Sequence, residues 1–235
     1  DLANKMREVS VAEFFEKNRH LLGYENTTKS LLTIVKEAVD NSLDATNEAG
    51  ILPDIKVTLR ELSPDKFKII VEDNGPGIVE EKISLAFGKL LYGSKFHRLR
   101  QSRGTQGIGI SGAILYSQLT TGKPVRIMSS TGKAIHSVEL LIDVLKNAPI
   151  AASKKEERNP DKWHGTKIEM EAEGRYIEGK QSIPEFLKQT AIANPYAKIV
   201  YDGPNGKVTF ERAVKELPIQ PKEIKPHPYG VELGI

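Results

Sequence analysis

The sequence predicts an α+β fold, a two-layer sandwich in which a mixed β-sheet is covered on one face by helices. Two observations predict it: strands and helices alternate along the chain, and strands such as residues 67–72 and 167–171 alternate apolar with polar side chains. Strands of that kind bury one face only, so the helices are expected on that face. The 235 residues, 39% of them hydrophobic, are enough for one large domain.

The first half of the chain carries helices around a pair of strands. Ser10 and Glu13 have capping-box spacing and predict the start of an amphipathic helix. A second helix is predicted over residues 28–44, where apolar side chains recur at spacings of three and four, with Asn26 or Thr27 as its cap. The elements predicted next are strands over 55–61 and 67–72, a turn at 63–65 and a helix over 80–91.

The second half alternates in the same way and ends in a proline-rich segment. Residues 152–162 are polar and are predicted to form a loop. The other predicted elements are helices over 110–119 and 184–192, and strands over 125–129, 135–142, 167–171, 197–201 and 208–212. Several prolines after residue 217 predict a stiff linker, so residues 1–217 are expected to form the domain and residues 218–235 to leave it.

Composition narrows the class of protein. The sequence has no transmembrane run and no signal peptide, and the absence of cysteine excludes disulfides and thiol chemistry, so we expect a soluble protein of the cytoplasm. The five histidines show no metal-binding spacing. A net charge of +3 is too small to indicate nucleic-acid binding by itself.

The first candidate for a functional site lies on the second predicted helix. Glu37 and Asn41 are four residues apart and therefore project side by side, where a carboxylate and an amide can address one bound group. Asp44 is expected to face the same way one turn further on and to make a supporting or capping contact. Taken alone, the pattern is also that of a solvated outer face, which is the commoner arrangement.

The second candidate follows the strand over residues 67–72. Asp73 stands at the strand end and is followed by Gly75 and Gly77, which allow positive φ angles and a close approach of backbone to a flat ligand. A carboxylate in that place can accept a hydrogen bond from an exocyclic amine such as that of adenine. An ordinary type I or II turn explains the same residues equally well.

The third candidate is the glycine-rich stretch 104–109, which follows a basic segment and precedes the helix over 110–119. Backbone N–H groups and the helix dipole make such a helix start favourable for phosphates. A surface loop explains the basic residues but not three glycines beside a buried helix. Residues 107–112 fit G-x-G-x-x-G, but no apolar strand precedes them, which speaks against a dinucleotide fold. The chain has no Walker lysine motif and no protein-kinase signature.

In order and spacing, the three stretches resemble the N, G1 and G2 boxes of the GHKL ATPase superfamily, which has the Bergerat fold. Residues 164–166 resemble its later glycine-threonine motif, whose threonine, here Thr166, supports the adenine-reading aspartate; His164 is expected to be structural. The resemblance implies ATP and Mg²⁺ as cofactors. It implies that Glu37 is the catalytic base and that Asn41 is the magnesium ligand.

The surrounding sequence resembles, within that superfamily, the B-subunit family of DNA topoisomerase VI. The segments that carry the resemblance are residues 11–18, 91–96, 113–118 and 225–234. The resemblance implies a second B subunit as partner when ATP binds, with residues 1–20 as the segment that crosses over, and an A subunit and double-stranded DNA as further partners. It also implies that residues 218–235 are a linker and the start of a following helix-two-turn-helix domain, and that a lysine of a later domain reaches the γ-phosphate. Slow turnover is therefore expected of this chain alone.

The same resemblance implies a set of nucleotide contacts. The residues expected to bind ATP are Asn41, Asp73, Gly77, Ser94, Lys95, Gly104, Thr105, Gln106, Gly107, Ile108, Gly109, Ile110 and Thr166. Two other functions fit the boxes: a chaperone or mismatch-repair ATPase, and a nucleotide-dependent dimerisation module without turnover. The segments 91–96, 113–118 and 226–228 speak against the first, and only a hydrolysis rate can decide the second. Without nucleotide we expect a monomer, because no long apolar stripe predicts a permanent interface.

Overall fold

The computed structural model describes residues 11–90 and 108–219, which form an eight-stranded sheet and the helices that cover it. The helices are α1 (Val11–Leu22), α2 (Thr27–Glu48), α3 (Glu80–Gly88), α4 (Gly109–Thr121) and α5 (Ile183–Ala193). The strands are β1 (Asp54–Ser63), β2 (Lys66–Asp73), β3 (Val125–Thr131), β4 (Ala134–Asp143), β5 (Ala148–Arg158), β6 (His164–Glu173), β7 (Lys198–Gly203) and β8 (Gly206–Phe210). The predictions for residues 1–10 and for the linker beyond residue 219 lie outside the described residues.

The sheet is mixed, and its strand order is β5-β4-β3-β6-β2-β1-β7-β8. β1 and β7 run parallel, with Ile55 opposite Ile199, whereas the remaining neighbours in this order are antiparallel. β6 lies between β3 and β2 and so joins two groups of strands that are distant in the sequence. The predicted mixed sheet is confirmed.

One face of the sheet is apolar and is covered by α2, α3, α4 and α5, while α1 packs on α4. In β2, Phe67, Ile69 and Val71 are buried under the helices. The alternate residue Lys68 lies on the other face, where its ammonium group pairs with the Glu169 carboxylate of β6. The two-layer arrangement predicted from the alternation of apolar and polar residues is therefore confirmed.

α2 carries the row of apolar side chains that its sequence predicts. Asn26 caps it, since its side-chain oxygen accepts a hydrogen bond from the Lys29 N–H at 2.9 Å. The helix continues to Glu48 rather than ending at residue 44, because buried contacts continue along it: the Asn47 amide donates to the Tyr196 hydroxyl at 3.0 Å. The buried apolar row consists of Leu31, Ile34, Val35, Ala38, Val39 and Leu43.

β5 contradicts the prediction of a loop over residues 152–162 as far as Arg158, where the strand ends; residues 159–162 form no strand or helix. Its backbone pairs with β4 from Ala134 opposite Arg158 to Asp143 opposite Ala148. β5 is an edge strand whose side chains are mostly exposed, so its sequence has no need to alternate apolar with polar residues. Backbone hydrogen bonds to a neighbour hold the strand, and such bonds leave no pattern in its side chains.

α3 ends at Gly88, three residues before the end predicted at residue 91. Lys89 has an extended backbone with φ −121° and ψ 118°. The next residue, Leu90, donates its N–H to the side-chain oxygen of Asn147 at 3.1 Å, which takes the chain away from the helix axis. A contact with a residue this far along the chain explains why the local pattern missed the helix end.

An aromatic cluster fastens α1 to the rest of the domain. The ring of Tyr24, in the connection between α1 and α2, lies 5.2 Å from the ring of Phe15 and stacks at 5.0 Å on Tyr116 of α4. The guanidinium carbon of Arg19 is 6.0 Å from the centroids of both Phe15 and Tyr116. All three rings are buried, so the position of α1 depends directly on that of α4.

Candidate nucleotide site

Asp73 stands at the end of β2, where it is 8% exposed. Its Oδ2 accepts a hydrogen bond from Ser42 Oγ at 2.9 Å, and its Oδ1 accepts from the N–H groups of Gly75 at 2.8 Å and Thr166 at 3.1 Å. Burial raises the pKa of Asp73, and these hydrogen bonds oppose the rise. A carboxylate has about four acceptor directions, of which the described residues use three, so one remains for a donor on a ligand.

Thr166 supports Asp73 through its backbone rather than its hydroxyl. The Thr166 N–H donates to the carboxylate, while its Oγ1 lies 3.0 Å from Ser129 Oγ. Ser129 donates to the carbonyl of Gly165 at 2.9 Å and accepts from the Ile78 N–H at 2.9 Å. Because the one hydroxyl hydrogen of Ser129 goes to Gly165, Thr166 is the donor between the two hydroxyls. These bonds tie β3, β6 and the loop after β2 around Asp73.

The glycines near Asp73 allow backbones to approach one another. Gly77 has φ +72°, and a Cβ atom added to it would lie 1.9 Å from the carbonyl oxygen of Ser130. Gly165 has φ +139°, and its added Cβ would lie 2.0 Å from the carbonyl oxygen of Asp73. Packing within the protein therefore explains both glycines. A contact between Gly77 and a nucleotide stays a prediction.

Glu37 lies against the start of α4. A Cβ atom added to Gly109, the first residue of α4, would stand 1.9 Å from Glu37 Oε2, so glycine is what allows the carboxylate to come this close. The N-terminal end of a helix carries partial positive charge, which favours the carboxylate there and would favour an anionic ligand in the same way. Two of the predicted stretches thus meet in space, although they are more than 60 residues apart.

A cavity of about 280 Å³ adjoins this contact. Its walls include Thr33, Lys36 and Glu37 of α2, Tyr24 of the α1–α2 connection, and the start of α4. Asp73 does not belong to these walls. Its α2 partner Ser42 is five residues beyond Glu37, about 7.5 Å along the helix axis. α2 thus contributes to two separate polar centres: Glu37 belongs to the first, and Ser42 contacts Asp73 in the second.

Asn41 is half-buried on α2, four residues from Glu37. Asp44, one turn further along α2, is 6% exposed, and its predicted supporting or capping contact stays a prediction. Within residues 11–90 and 108–219, no group of three His, Asp or Glu side chains could hold a metal ion. A magnesium shell at Asn41 would therefore need phosphate oxygens and waters, which is the shell that Mg²⁺ prefers in nucleotide sites.

The predicted nucleotide contacts fall partly within the described residues and partly outside them. Ser94, Lys95, Gly104, Thr105, Gln106 and Gly107 lie outside the described residues. At the end of the third stretch, Ile108 precedes α4, Gly109 begins it, and Ile110 is half-buried against the core. His164 makes a contact of the structural kind that was expected, with Nδ1 2.7 Å from the Gly75 carbonyl oxygen.

Two residues of the site were not predicted, namely Ser42 and Ser129. Ser42 is buried at a position that continues the apolar row of α2, four residues after Ala38. Ser129 is buried at a position that continues the apolar alternation of β3, two residues after Ile127. In both cases the sequence signal was a hydroxyl in place of an apolar side chain, since a buried hydroxyl needs a hydrogen-bond partner.

This fold and site define a nucleotide-binding α+β domain of the ATPase class. Residues 26–157, more than half of the chain, match the family of histidine kinase-, DNA gyrase B-, and HSP90-like ATPases, and the chain belongs to that family. The predicted GHKL membership is therefore confirmed. One solved structure, of the N-terminal domain of a DNA repair protein, aligns with 82% of this chain and 54% of its own at 21% identity and a TM-score of 0.49, too low a score to add to the fold assignment.

Within that family, the chain is similar over nearly its whole length to B subunits of type 2 DNA topoisomerase 6. The identity is 54% over 240 residues in Archaeoglobus fulgidus, 52% over 238 residues in Methanococcoides burtonii and 52% over 233 residues in Pyrococcus horikoshii. These alignments cover 99%, 100% and 98% of this chain but 39%, 38% and 41% of the relatives. The predicted resemblance is confirmed, and the chain spans about two-fifths of the length of these relatives.

The helices within the described ranges can be compared in length and hydropathy with membrane-spanning helices. None of them combines the length and the hydropathy that a membrane-spanning helix needs. The second predicted helix, α2, is long enough at 22 residues but carries several charged side chains.

Proposed function

We propose that this chain is the ATP-binding and ATP-hydrolysing part of a B subunit of a type II DNA topoisomerase. The observation that carries the proposal is the buried Asp73 carboxylate, which has an acceptor direction open within the fold of an ATPase family. The similarity to topoisomerase 6 B subunits along nearly the whole chain supports this particular assignment. In the proposed complex, ATP brings two B subunits together, and an A subunit and double-stranded DNA complete the assembly.

In the proposed mechanism, Asp73 reads the nucleobase by accepting from the exocyclic amine of adenine. The phosphates lie toward the start of α4. The groups expected from the sequence to bind them, in place of a P-loop, are backbone N–H groups of residues 104–109 and the Lys95 side chain. Magnesium, held through Asn41 and phosphate oxygens, would neutralise charge on the phosphates. Glu37 orients the attacking water and takes its proton.

Equilibrium binding of a non-hydrolysable ATP analogue, with and without magnesium, tests the nucleotide site. Wild type should bind in a magnesium-dependent manner, and Asp73→Ala should remove binding because the acceptor for the adenine amine is lost. Asp161→Ala, which removes an exposed carboxylate outside the site, is the matched control and should bind like wild type. No binding by wild type, or equal binding by wild type and Asp73→Ala, would overturn the proposed site.

The steady-state rate of ATP hydrolysis tests whether Glu37 is the base. Glu37→Ala should abolish hydrolysis and leave analogue binding largely intact, because the residue acts on water rather than on the nucleotide. Glu48→Ala, on the exposed end of the same helix, is the control. Equal loss of binding and hydrolysis in Glu37→Ala would mean that Glu37 is structural. Binding by wild type without any hydrolysis would favour a nucleotide-dependent dimerisation module.

A further inference from the structure

Two glycines on one side of α4 face the carboxylate of Glu37 and the ring of Tyr24. Gly109 and Gly112 are three residues apart, so they lie on the same side of the helix about 4.5 Å apart along its axis. Gly109 faces the Glu37 carboxylate, and a Cβ atom added to Gly112 would lie 3.8 Å from Cε2 of Tyr24. The ring of Tyr24 and the carboxylate of Glu37 therefore contact successive turns of one helix, and both line the same cavity.

Tyr24 is held rigidly and has an unused hydroxyl. The residue is 2% exposed, and its ring is fixed by Phe15 on one side and by stacking on Tyr116 on the other. Among the described residues, its buried hydroxyl has no hydrogen-bond partner. A buried hydroxyl without a hydrogen-bond partner destabilises the fold, so a stable fold is expected to provide a partner for it.

The surroundings of the cavity indicate what that partner is. The Thr33 hydroxyl is already engaged, since it donates to the carbonyl of Gly23 at 3.0 Å. The pKa of Tyr24 is raised well above its usual value, first by burial and then by the negative charge of Glu37, so the phenol stays protonated and can donate. A cavity of about 280 Å³ with a phenol donor and a carboxylate acceptor has both the room and the polar partners that an ordered water requires.

We propose that Tyr24 is a positioning residue for Glu37, its hydroxyl holding the carboxylate through a water molecule in this cavity. The inference rests on the proposed function, in which Glu37 is the base. Tyr24 does not touch the nucleotide in this arrangement. It limits the orientations of the carboxylate, and because Tyr24 also packs on Phe15 of α1, the orientation of the base depends on the docking of α1.

A spectroscopic measurement tests the contact without requiring hydrolysis. Tyrosine is labelled with ¹³C at Cζ, and the Tyr24 resonance is identified by its loss in Tyr24→Phe. Glu37→Gln should shift that resonance, because the acceptor of the bridging water becomes a neutral amide of the same shape. The Tyr116 resonance is the control and should stay in place, since the Tyr116 hydroxyl donates to the Glu173 carbonyl at 3.1 Å. An unmoved Tyr24 resonance, or equal shifts of both, would overturn the proposal.

A rate measurement tests the functional role. With the chain in excess over ATP, Tyr24→Phe should lower the rate constant of hydrolysis by about tenfold, which is the effect expected from one hydrogen bond, and should leave analogue affinity unchanged. Tyr116→Phe removes a hydroxyl from the same aromatic stack and should keep the wild-type rate constant. An unchanged rate constant in Tyr24→Phe would overturn the role. A wild type that neither binds nor hydrolyses ATP would instead defeat the proposed function, and the Tyr24 resonance would still decide the contact.

Discussion

At the scale of single residues, the proposed adenine contact of Asp73 and the stability of the fold place opposite demands on its carboxylate. Burial raises its pKa, and the hydrogen bonds from Gly75, Ser42 and Thr166 offset only part of that rise. The charged form is therefore disfavoured in the folded state, although it is the form that the proposed adenine contact requires. We infer that the domain keeps this carboxylate for its ligand rather than for its own stability.

We predict that Asp73→Asn stabilises the domain at neutral pH while removing ATP binding. Because the folded-state pKa of Asp73 is raised, its contribution to stability is fully present below the pKa of unfolded aspartate, about 3.9, and is lost as pH rises through the higher folded-state pKa. The free energy of unfolding of wild type relative to Asp73→Asn should therefore fall as pH rises from about 4 toward neutrality. Urea unfolding at a series of pH values measures this difference.

The control for that prediction is Asp161→Asn, which removes the same charge from an exposed position. It separates the effect of burial from the effect of net charge on the whole molecule. If the difference in unfolding free energy between wild type and Asp73→Asn did not change with pH, the raised pKa of Asp73 would be refuted. If wild type became more stable relative to Asp73→Asn as pH rises, the folded-state pKa of Asp73 would be lowered rather than raised.

At the scale of elements, the loop between β2 and α3 is fixed by its fit against the backbone of β3. Gly77 makes that fit possible, because its missing side chain leaves room for the Ser130 carbonyl. Gly122, the C-cap of α4, has nearly the same backbone angle, φ +69° against φ +72° for Gly77, but nothing lies within 4 Å of its added Cβ. A substitution at Gly122 therefore introduces backbone strain alone, whereas the same substitution at Gly77 introduces that strain and a steric clash.

We predict that Gly122→Ala costs about 1–2 kcal/mol, the strain of an L-residue in the left-handed region. Gly77→Ala should cost at least about 2 kcal/mol more, because the strain is the same and the backbone of β3 must also move. Urea unfolding of both variants at one pH provides the comparison. Equal losses of stability would mean that the loop can move away from β3 easily, contrary to the packing described.

The sequence predicted elements whose patterns are local and missed features that depend on contacts across the fold. The apolar row of α2, its Asn26 cap and the alternation of β2 could be predicted, because each of these patterns is formed by residues that are close to one another in the sequence. β5 could not, because its backbone pairs with β4 while its side chains are exposed. Glu37 was predicted by its spacing from Asn41, whereas its neighbour Tyr24 depends on how α1 docks.

At the scale of the whole molecule, this chain corresponds to about two-fifths of the topoisomerase 6 B subunits that it resembles. From the resemblance we predict that a lysine of a later domain reaches the γ-phosphate. In the proposed mechanism, Glu37 is the base and Asp73 contacts the nucleobase. We therefore expect this chain alone to bind nucleotide tightly but to hydrolyse it slowly.

We predict that the hydrolysis rate of this chain alone is about a hundredfold below that of a longer chain that includes the later domains expected from the resemblance, the loss expected when one charged donor is missing at the phosphates. Analogue affinity should differ much less. Rates measured on both forms at saturating ATP check the prediction, with Glu37→Ala of the longer form as the background control. Comparable rates for the two forms would contradict it.

The central place of β6 also decides when the chain can fold during its synthesis. The β1–β2 pair and the β3–β4–β5 meander can each form from neighbouring segments, but they are connected within the sheet only through β6, which ends at Glu173. A ribosome that has not yet released that strand therefore carries two separate sheets, in which β2 and β3 each still lack β6 as a neighbour and expose an unpaired edge. We expect this nascent state, rather than the finished domain, to be the form most dependent on chaperones.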